Sequence, residues 1–234
     1  MNCELISRMR LFRDVSAEEI GPMLGCLQVH ERSFRKGERI VSMGDAVQAA
    51  GLVLSGEVFV EHTDVWGVRS ILATVGAGNL FAEAYACVPE RRSMVDVVAA
   101  RDCAVLFLNV DRILRLCPSA CPCHTRLVRN LLADMAEKNL NLTNKIAHTA
   151  PKSIRARVLA YLSSQAQMSG AHDFTIPFSR QELADYLNVD RSALSNELGK
   201  MQREGLMEFK KNRFSLNRTT FAIAAPPACV RARA

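Results

Sequence analysis

The chain has 234 residues, of which 49% are hydrophobic and 23% are charged, as is typical of a soluble protein with more than one domain. No apolar run reaches the ~20 residues needed to cross a bilayer, and the N-terminus lacks the apolar core of a signal peptide. We therefore expect a cytoplasmic protein without a membrane partner. The eight cysteines do not suggest a secreted disulfide framework in a chain this long, so we expect reduced thiols.

The net charge of +6 lies entirely in residues 149–234. Residues 1–148 contain 17 Lys and Arg against 17 Asp and Glu, whereas residues 149–234 contain 13 against 7. A neutral part followed by a basic part is typical of a sensing domain joined to a domain that binds a polyanion. A basic tail is the simpler interpretation, because Arg218, Arg231 and Arg233 supply half of the excess.

The first half of the chain changes from helical to strand-like patterning. Residues 4–30 have apolar side chains at helical spacing, and from residue 33 to about 109 short apolar runs alternate with turn glycines. Strands at this spacing indicate an antiparallel sandwich or barrel. We expect the strands to reverse at the glycines, since glycine tolerates the positive φ of tight turns; these are Gly37, Gly44, Gly56, Gly76 and Gly78.

A long helix is predicted over residues 124–148, which contain no Gly or Pro. Its apolar residues form one stripe, with gaps of three, four and seven: Val128, Leu131, Leu132, Met135, Leu142 and Ile146. Lys138 and Asn139 interrupt the stripe, and a polar position in such a seam often sets pairing. About seven turns is long for a helix that packs only on its own domain, so we favour a dimerisation helix over that alternative.

The segment "SRQELADYLNVDRSALSNELGKM" predicts a helix-turn-helix. Ser179 and Glu182 form a capping box at the start of the first helix. Asn188 suits a left-handed turn, and Asp190 caps the second helix. Two short helices joined by a tight turn are the helix-turn-helix arrangement, although any αα-hairpin with a solvated outer face would share part of this pattern.

The second helix and the residues after it carry polar groups suited to DNA. Its outer face begins Arg191, Ser192, Ser195, Asn196, and such side chains can reach base edges and phosphates from a major groove. The following "GLMEFKKNRFSL" places apolar residues on both sides of a polar turn, which predicts a β-hairpin wing. Residues 218–234 have no strong pattern and are a candidate for a disordered tail.

The order of these segments resembles the Crp/Fnr superfamily of bacterial transcription regulators, which includes the cyclic-AMP receptor protein. The resemblance is carried by "KGERIVSMGD…GLVLSGEVFV", "FAEA…ERRSMVDVVA" and the helix-turn-helix segment. It implies an α+β fold with an N-terminal antiparallel β-roll (jelly-roll) sensor in residues 1–123, a dimerisation helix in 124–148 and a winged helix-turn-helix in 149–217. It also implies a homodimer on a pseudo-palindromic operator, with double-stranded DNA and RNA polymerase as partners.

The resemblance assigns roles to residues of the helix-turn-helix. Arg191 matches the family's first recognition-helix arginine. Ser192 falls where the best-known members have a base-reading glutamate, and Asn196 where they have a guanine-reading arginine. Because Asn bonds adenine better than guanine, we expect an altered base preference. Arg180 is expected to contact a phosphate or to cap its helix locally.

The resemblance also suggests a cyclic-nucleotide site. Glu83 matches the glutamate for the ribose hydroxyl, Arg92 and Ser93 match the pair that holds the cyclic phosphate, and Thr143 falls near the purine-contacting hydroxyl. Guanidinium and hydroxyl donors suit a buried phosphate. However, Ala82 replaces a glycine of those members. A cyclic nucleotide is thus a candidate effector; in the alternative, Arg92 lies in a solvated turn, Glu83 forms an ordinary ion pair, and the sensor is vestigial.

A metal- or redox-responsive sensor is a second alternative. The stretch "CPSACPCH" places Cys117, Cys121, Cys123 and His124 within eight residues, and thiolates with an imidazole are ligands for zinc or an iron–sulfur cluster. The spacing is not a standard motif, and inert, partly buried thiols are the favoured interpretation.

Two further possibilities have less support in the sequence. Haem binding through His30, His62 or His124 has none beyond the presence of those side chains. A cupin-type enzyme would need several inward His and Glu ligands, but His62 is the one histidine of residues 33–110. We therefore do not predict an enzyme.

Overall fold

The computed structural model describes residues 2–88, 90–114 and 122–217. The chain divides between Glu137 and Lys138 into two compact units. The fold is α+β, with an antiparallel jelly-roll-like sensor part, helices and a C-terminal helix-turn-helix, which confirms the predicted fold class. The domain boundaries inferred from the sequence stay predictions.

Along the chain, helices come before, between and after the strands of the first unit. Their bounds are α1 Cys3–Ser7, α2 Ala17–Leu27, α3 Glu83–Ala86 and α4 Val110–Leu114, and a 3-10 turn spans Arg10–Phe12. The helical region predicted over residues 4–30 is therefore broken, and Asp14 has a left-handed φ of 62° within the break. Asp is among the few residues that adopt this conformation readily. The region also ends before His30, where the first strand begins.

In the described residues of this unit, eight strands form two four-stranded antiparallel sheets. Their bounds are β1 His30–Phe34, β2 Arg39–Val41, β3 Ala49–Ser55, β4 Glu57–Thr63, β5 Arg69–Gly76, β6 Leu80–Phe81, β7 Asp96–Ala99 and β8 Cys103–Asn109. The first sheet has the order β1-β8-β3-β6 and the second has the order β2-β7-β4-β5. Four of the five predicted turn glycines have a positive φ; Gly76 has none, but it ends β5, and its carbonyl accepts a hydrogen bond from the Asn79 N–H in the turn that follows.

Alternate residues of the first sheet enter two different cores. Val53 and Val105 join a cluster with residues of the second sheet such as Val58 and Val97, so this cluster fills the space between the sheets. Leu52 and its neighbours on the opposite face join a second cluster with α1, α2, α4 and the start of the next helix. Because successive strand residues point to opposite faces, burial on both sides explains the nearly continuous apolar runs of β3 and β8.

Gly51 permits a close approach inside the first sheet. A Cβ atom built on Gly51 would lie 2.1 Å from Cζ of Phe81, and the ring of Phe81 is itself buried. No side chain fits between β3 and this ring, so glycine is required here by packing rather than by a turn.

Helix α5 spans Pro122–Thr149 and contributes to both units. The helix predicted over residues 124–148 is confirmed and is slightly longer at both ends. Its start at Pro122 is physically reasonable, since proline suits the first helical turn. Its role in dimerisation stays a prediction.

Up to residue 217, where the described part of the second unit ends, three further helices and a small sheet follow α5. The bounds are α6 Ile154–Ser169, β9 Asp173–Thr175, α7 Arg180–Leu187, α8 Arg191–Arg203, β10 Met207–Lys210 and β11 Arg213–Leu216. The strands have the order β10-β11-β9, so the predicted hairpin is present and β9 adds a third strand to it. Its core is formed by residues including Val158, Leu162, Leu183, Leu194, Leu198 and Phe214.

The caps predicted for α7 and α8 are present. Ser179 accepts a hydrogen bond from the Glu182 backbone N–H at 3.3 Å, and the Glu182 carboxylate accepts one from the Ser179 N–H at 2.7 Å. Asn188 ends α7 with a left-handed φ of 54°, and Asp190 accepts from the Ala193 N–H at 2.9 Å. These local bonds fix where each helix starts and stops.

Arg155 joins α6 to the C-terminal half of α8. Its Nε donates to Oε1 of Glu197 at 2.6 Å, and its two terminal nitrogens donate to the two carboxylate oxygens of Glu204, each at 2.8 Å. This bidentate pair has the planar geometry that a guanidinium and a carboxylate share. The hydrogen bonds from Arg155 lower the pKa of Glu204 below its ordinary value of 4.5.

Replacing this arginine should remove stability in a pH-dependent manner. A carboxylate whose pKa is lowered by folding contributes stability above its ordinary pKa of 4.5, and this stability is lost as the pH falls through the lower folded value. We expect Arg155→Met to reduce the free energy of unfolding at pH 7, and the difference from the wild type to shrink between pH 5 and pH 3. Denaturant unfolding followed by circular dichroism at several pH values measures this.

Arg157→Met is a matched control, because among the described residues Arg157 donates to the carbonyls of Pro151, Leu187 and Asn188 and to no carboxylate. Its loss should cost stability by an amount that does not change over the same pH range. An Arg155→Met deficit that is equally large at pH 7 and pH 3 would contradict the role given to Glu204.

Candidate nucleic-acid interface and effector site

The outer face of α8 is polar and exposed. Leu194, Leu198 and Met201 are fully buried in the core of the second unit. The four predicted DNA-contacting residues of this helix are all exposed, and they occur at positions i, i+1, i+4 and i+5, which share a face at 3.6 residues per turn; they are Arg191, Ser192, Ser195 and Asn196. The structure therefore brings them together on one surface.

Hydrogen bonding divides these four residues into two pairs. Ser192 donates its hydroxyl to the Asp190 carboxylate, and Ser195 donates to the Arg191 carbonyl at 3.0 Å. In contrast, the side chains of Arg191 and Asn196 form no hydrogen bond with another residue that the structure describes. Arg191 and Asn196 are thus the two of the four whose side-chain N–H donors can reach a ligand without first breaking a bond to another described residue.

Three exposed cations lie on the wing, which we define as the β10–β11 hairpin. Lys210 and Arg213 are paired across the hairpin, and Lys211 lies in the turn with a φ of 56°. None of the three forms an ion pair within the described part of the chain. Such cations suit phosphate groups, whose charge dominates the affinity of proteins for DNA.

Arg180 lies at the start of α7, but its guanidinium is on the wing. The guanidinium carbon is 5.0 Å from the ring centroid of Phe209 and 5.8 Å from that of Phe214, and Nη2 donates to the Lys211 carbonyl at 3.2 Å. Burial lowers the pKa of Arg180 from its ordinary value. The sequence alone indicated neither partner, because Phe209 and Phe214 read only as the apolar positions of a hairpin.

The predicted phosphate donors of the sensor lie opposite residues 44–46. Arg92 donates from Nη1 to the Gly44 carbonyl at 2.8 Å, and a β-bridge pairs Arg92 with Ala46. Ser93 is buried and donates its hydroxyl to the Val95 carbonyl at 2.7 Å. Both donors are therefore used by the protein's own backbone in this structure.

Glu83 and Thr143 lie in different surroundings. Glu83 is buried at the start of α3, and Ala82 before it has a left-handed φ of 59°. Glycine would adopt this conformation without the steric cost that alanine has, which gives a physical meaning to the replacement noted in the sequence. Thr143 is exposed in the second unit and donates to the Asn139 carbonyl at 3.0 Å.

Half of the cysteine cluster can be located. Cys117 and Cys121 lie outside the described residues. Cys123 is buried and accepts a hydrogen bond from Arg126 at 3.7 Å, and His124 is buried beside it in sequence. Within residues 2–88, 90–114 and 122–217 there is no group of three or more His, Cys, Asp or Glu side chains that could hold a metal. His30, one of the haem candidates, stacks on Phe107 at 4.9 Å.

Asn212 was missed by the sequence analysis. Its side-chain amide donates to the Ile176 carbonyl at 3.1 Å, which joins the wing to the segment before α7. An Asn in a polar turn is normally interpreted as a turn former, so nothing in the local sequence separates this role from the common one. The wing cations, in contrast, were visible in "KKNR" as a local excess of positive charge.

In the part of the chain that the structure describes, no helix combines the length and the apolar character that a membrane span requires.

Known families match both units of the chain. The cyclic nucleotide-binding domain family matches residues 31–119, and the Crp-like helix-turn-helix domain family matches residues 156–219. The chain is 27% identical over 197 residues to the cyclic AMP receptor protein of Thermus thermophilus, across 84% of this chain and 87% of that protein. It is 25% identical over 185 residues to the transcriptional activator protein FnrA of Stutzerimonas stutzeri, across 76% of this chain and 72% of that protein.

A solved structure supports the fold. The c-di-GMP responsive global regulator CLP of Xanthomonas campestris is 20% identical, with a TM-score of 0.52 over 86% of this chain and 99% of that chain. The two matched domains follow each other along the chain, and neither is an enzyme family. The chain therefore belongs to the Crp/Fnr superfamily of effector-responsive, DNA-binding transcriptional regulators.

Proposed function

We propose that the chain acts as a homodimer on a pseudo-palindromic operator, with one α8 in the major groove of each half-site. The observation that carries this proposal is the exposed face of α8, with Arg191 and Asn196 unengaged, in the same unit as the three cations of the wing. Helices of this kind read base edges while neighbouring cations contact phosphates. The protein acts in the cytoplasm, where bacterial DNA lies, and by family resemblance its second macromolecular partner is RNA polymerase.

The apolar stripe of α5 supports the homodimer. Leu142 and Ile146 are 62% and 66% exposed, and they lie one turn apart on the same face. Met135 precedes Leu142 by seven residues, which is the spacing of a coiled-coil seam. A second copy of the helix would remove these side chains from water, which is favourable in proportion to the apolar area covered. We propose residues 124–148 as the dimerisation helix, between a sensor in 1–123 and a DNA-binding domain in 149–217.

Charges placed in this seam should separate the dimer. We expect the double variant Leu142→Glu, Ile146→Glu to sediment as a monomer in analytical ultracentrifugation, because four carboxylates would have to be buried in the paired helices. Asn144→Glu is the matched control, since its side chain lies about 180° around the helix from the midpoint of Leu142 and Ile146. A wild type that is monomeric at micromolar concentration, or a double variant that remains dimeric, would contradict this.

Asn196 should determine a base in each half-site. We expect Asn196→Ala to weaken specific binding by about 1–3 kcal/mol, the range for loss of one bidentate base contact, and Asn196→Arg to shift the selected base towards guanine. Selection from random DNA and anisotropy titrations at fixed salt measure both effects. Ser195→Ala is the control, because its hydroxyl already bonds the Arg191 carbonyl. An unchanged selected site for Asn196→Arg would show that Asn196 does not read a base.

We further propose that the effector binds in the roll beside Glu83, Arg92 and Ser93, with a cyclic nucleotide as the candidate. The match of residues 31–119 to a cyclic nucleotide-binding domain supports this location. The Arg92 guanidinium has five N–H donors, and its bond to the Gly44 carbonyl can be exchanged for bonds to the ligand phosphate. Guanidinium–phosphate bonds are charge-assisted, so this exchange is favourable when the ligand is anionic.

Cyclic AMP or cyclic GMP should raise the melting temperature. A ligand at 100 times its Kd stabilises the folded state by about 2.7 kcal/mol. We expect Arg92→Gln to abolish the rise, and the neighbouring exposed Arg91→Gln to retain it. Differential scanning fluorimetry with each nucleotide measures this. Absence of any shift with both nucleotides in the wild type would remove them as effectors and leave the DNA-binding proposal unaffected.

A further inference from the structure

The turn of the wing, residues 210–213, is tied to the segment that leads into α7. Asn212 donates its side-chain amide to the Ile176 carbonyl at 3.1 Å, and the backbone N–H of Ile176 donates to the Asn212 carbonyl at 2.9 Å. Arg180 donates to the carbonyl of Lys211 at 3.2 Å. Three bonds thus join this turn to residues 176–180.

More than one interaction holds the Arg180 side chain against the wing. Its guanidinium lies over the rings of Phe209 and Phe214, at 5.0 Å and 5.8 Å from their centroids. A cation over an aromatic ring is stabilised by the ring's electrostatic field, and the stabilisation is larger when the cation is partly desolvated, as Arg180 is. A phosphate contact by Arg180 would compete with the rings and with the Lys211 carbonyl.

The turn that these bonds hold is both strained and charged. Lys211 has a φ of 56°, a conformation that is uncommon for residues other than glycine. Lys210, Lys211 and Arg213 are exposed and repel one another at close range. A free hairpin tip with these properties would sample many conformations, and ordering it on DNA would cost conformational entropy.

We infer that Arg180 and Asn212 are positioning residues that hold the wing turn in its DNA-binding conformation. Through them, Lys210, Lys211 and Arg213 meet phosphates while α8 lies in the groove, and Arg180 does not supply a phosphate contact of its own. This inference rests on the proposed DNA-binding function. Asn212, although neutral, therefore contributes to the salt dependence of DNA binding, because it positions the cations that contact phosphates.

A double-mutant cycle tests the inference. The variants are Arg180→Gln, the wing-neutral triple Lys210→Gln, Lys211→Gln, Arg213→Gln, and the two combined, each titrated with DNA at several salt concentrations. If Arg180 acts through the wing, Arg180→Gln weakens binding in the normal background and has little further effect in the wing-neutral one. If Arg180 binds a phosphate itself, its loss costs the same factor in both backgrounds and lowers the salt slope by about 0.9.

Two conservative variants separate positioning from charge. Arg180→Lys keeps the charge but not the planar group that stacks on the rings, so positioning predicts that it behaves like Arg180→Gln, whereas a phosphate contact predicts rescue. Asn212→Ala removes no charge, yet positioning predicts that it lowers the salt slope. Circular dichroism at the titration temperature confirms that each variant is folded.

The outcomes distinguish this inference from the function on which it rests. Non-additive losses, failure of Arg180→Lys and a reduced salt slope for Asn212→Ala support it. Additive losses with rescue by Arg180→Lys overturn it while leaving DNA binding intact. A wild type that shows no salt-dependent affinity for DNA would instead refute the proposed function.

Discussion

Burial of one face of α8 determines what the opposite face presents. Leu194, Leu198 and Met201 are completely enclosed, and each such side chain contributes roughly 1.5–3 kcal/mol relative to exposure. A helix with 3.6 residues per turn that buries these positions must turn Ser192 and Asn196 outward. The capping bonds of Asp190, the Arg155 contacts with Glu197 and Glu204, and the tied wing all preserve this orientation. A DNA-reading surface requires rigid support of this kind, since small displacements of a base-reading side chain remove its hydrogen bonds.

In the sensor part, burial of apolar strand residues plays the role that burial of one helix face plays in α8. β3 and β8 are buried on both faces, and the short helix α3 follows β6, which pairs with β3. The segment around Arg92 and Ser93 is bonded instead to residues 44–46. The two candidate phosphate donors bond backbone carbonyls in this structure. An effector shifts the population of states only by binding one state better than another. Transfer of the Arg92 hydrogen bond from the Gly44 carbonyl to a ligand is a local change that favours the ligand-bound state. The strained backbone of Ala82 lies next to Glu83, the glutamate of the same candidate site.

Features governed by neighbouring residues were predictable from the sequence. The capping box of Ser179 and Glu182, the Asp190 cap, the left-handed Asn188, the long helix over 124–148 and the wing hairpin all depend on side chains a few positions apart, so their signals are contained in short windows. The helical pattern of residues 4–30 did not reveal the interruption between α1 and α2, because periodicity does not show where a chain breaks between two helices of similar spacing. Asp14, with its left-handed backbone, marks that break, but an Asp is equally common at helix starts and on exposed faces.

By itself, then, the sequence determined the fold class, the order of the domains, the family and the surface of α8 that faces outward, because periodicity and local hydrogen bonding express these directly. Only the tertiary structure decided which of the polar groups are already engaged. It placed Arg180 on the rings of Phe209 and Phe214, required glycine at Gly51 because of Phe81, and joined Asn212 to Ile176. Most of these contacts connect residues 29 to 36 positions apart, and a partner at that separation is chosen by packing of the whole unit rather than by the residues beside it.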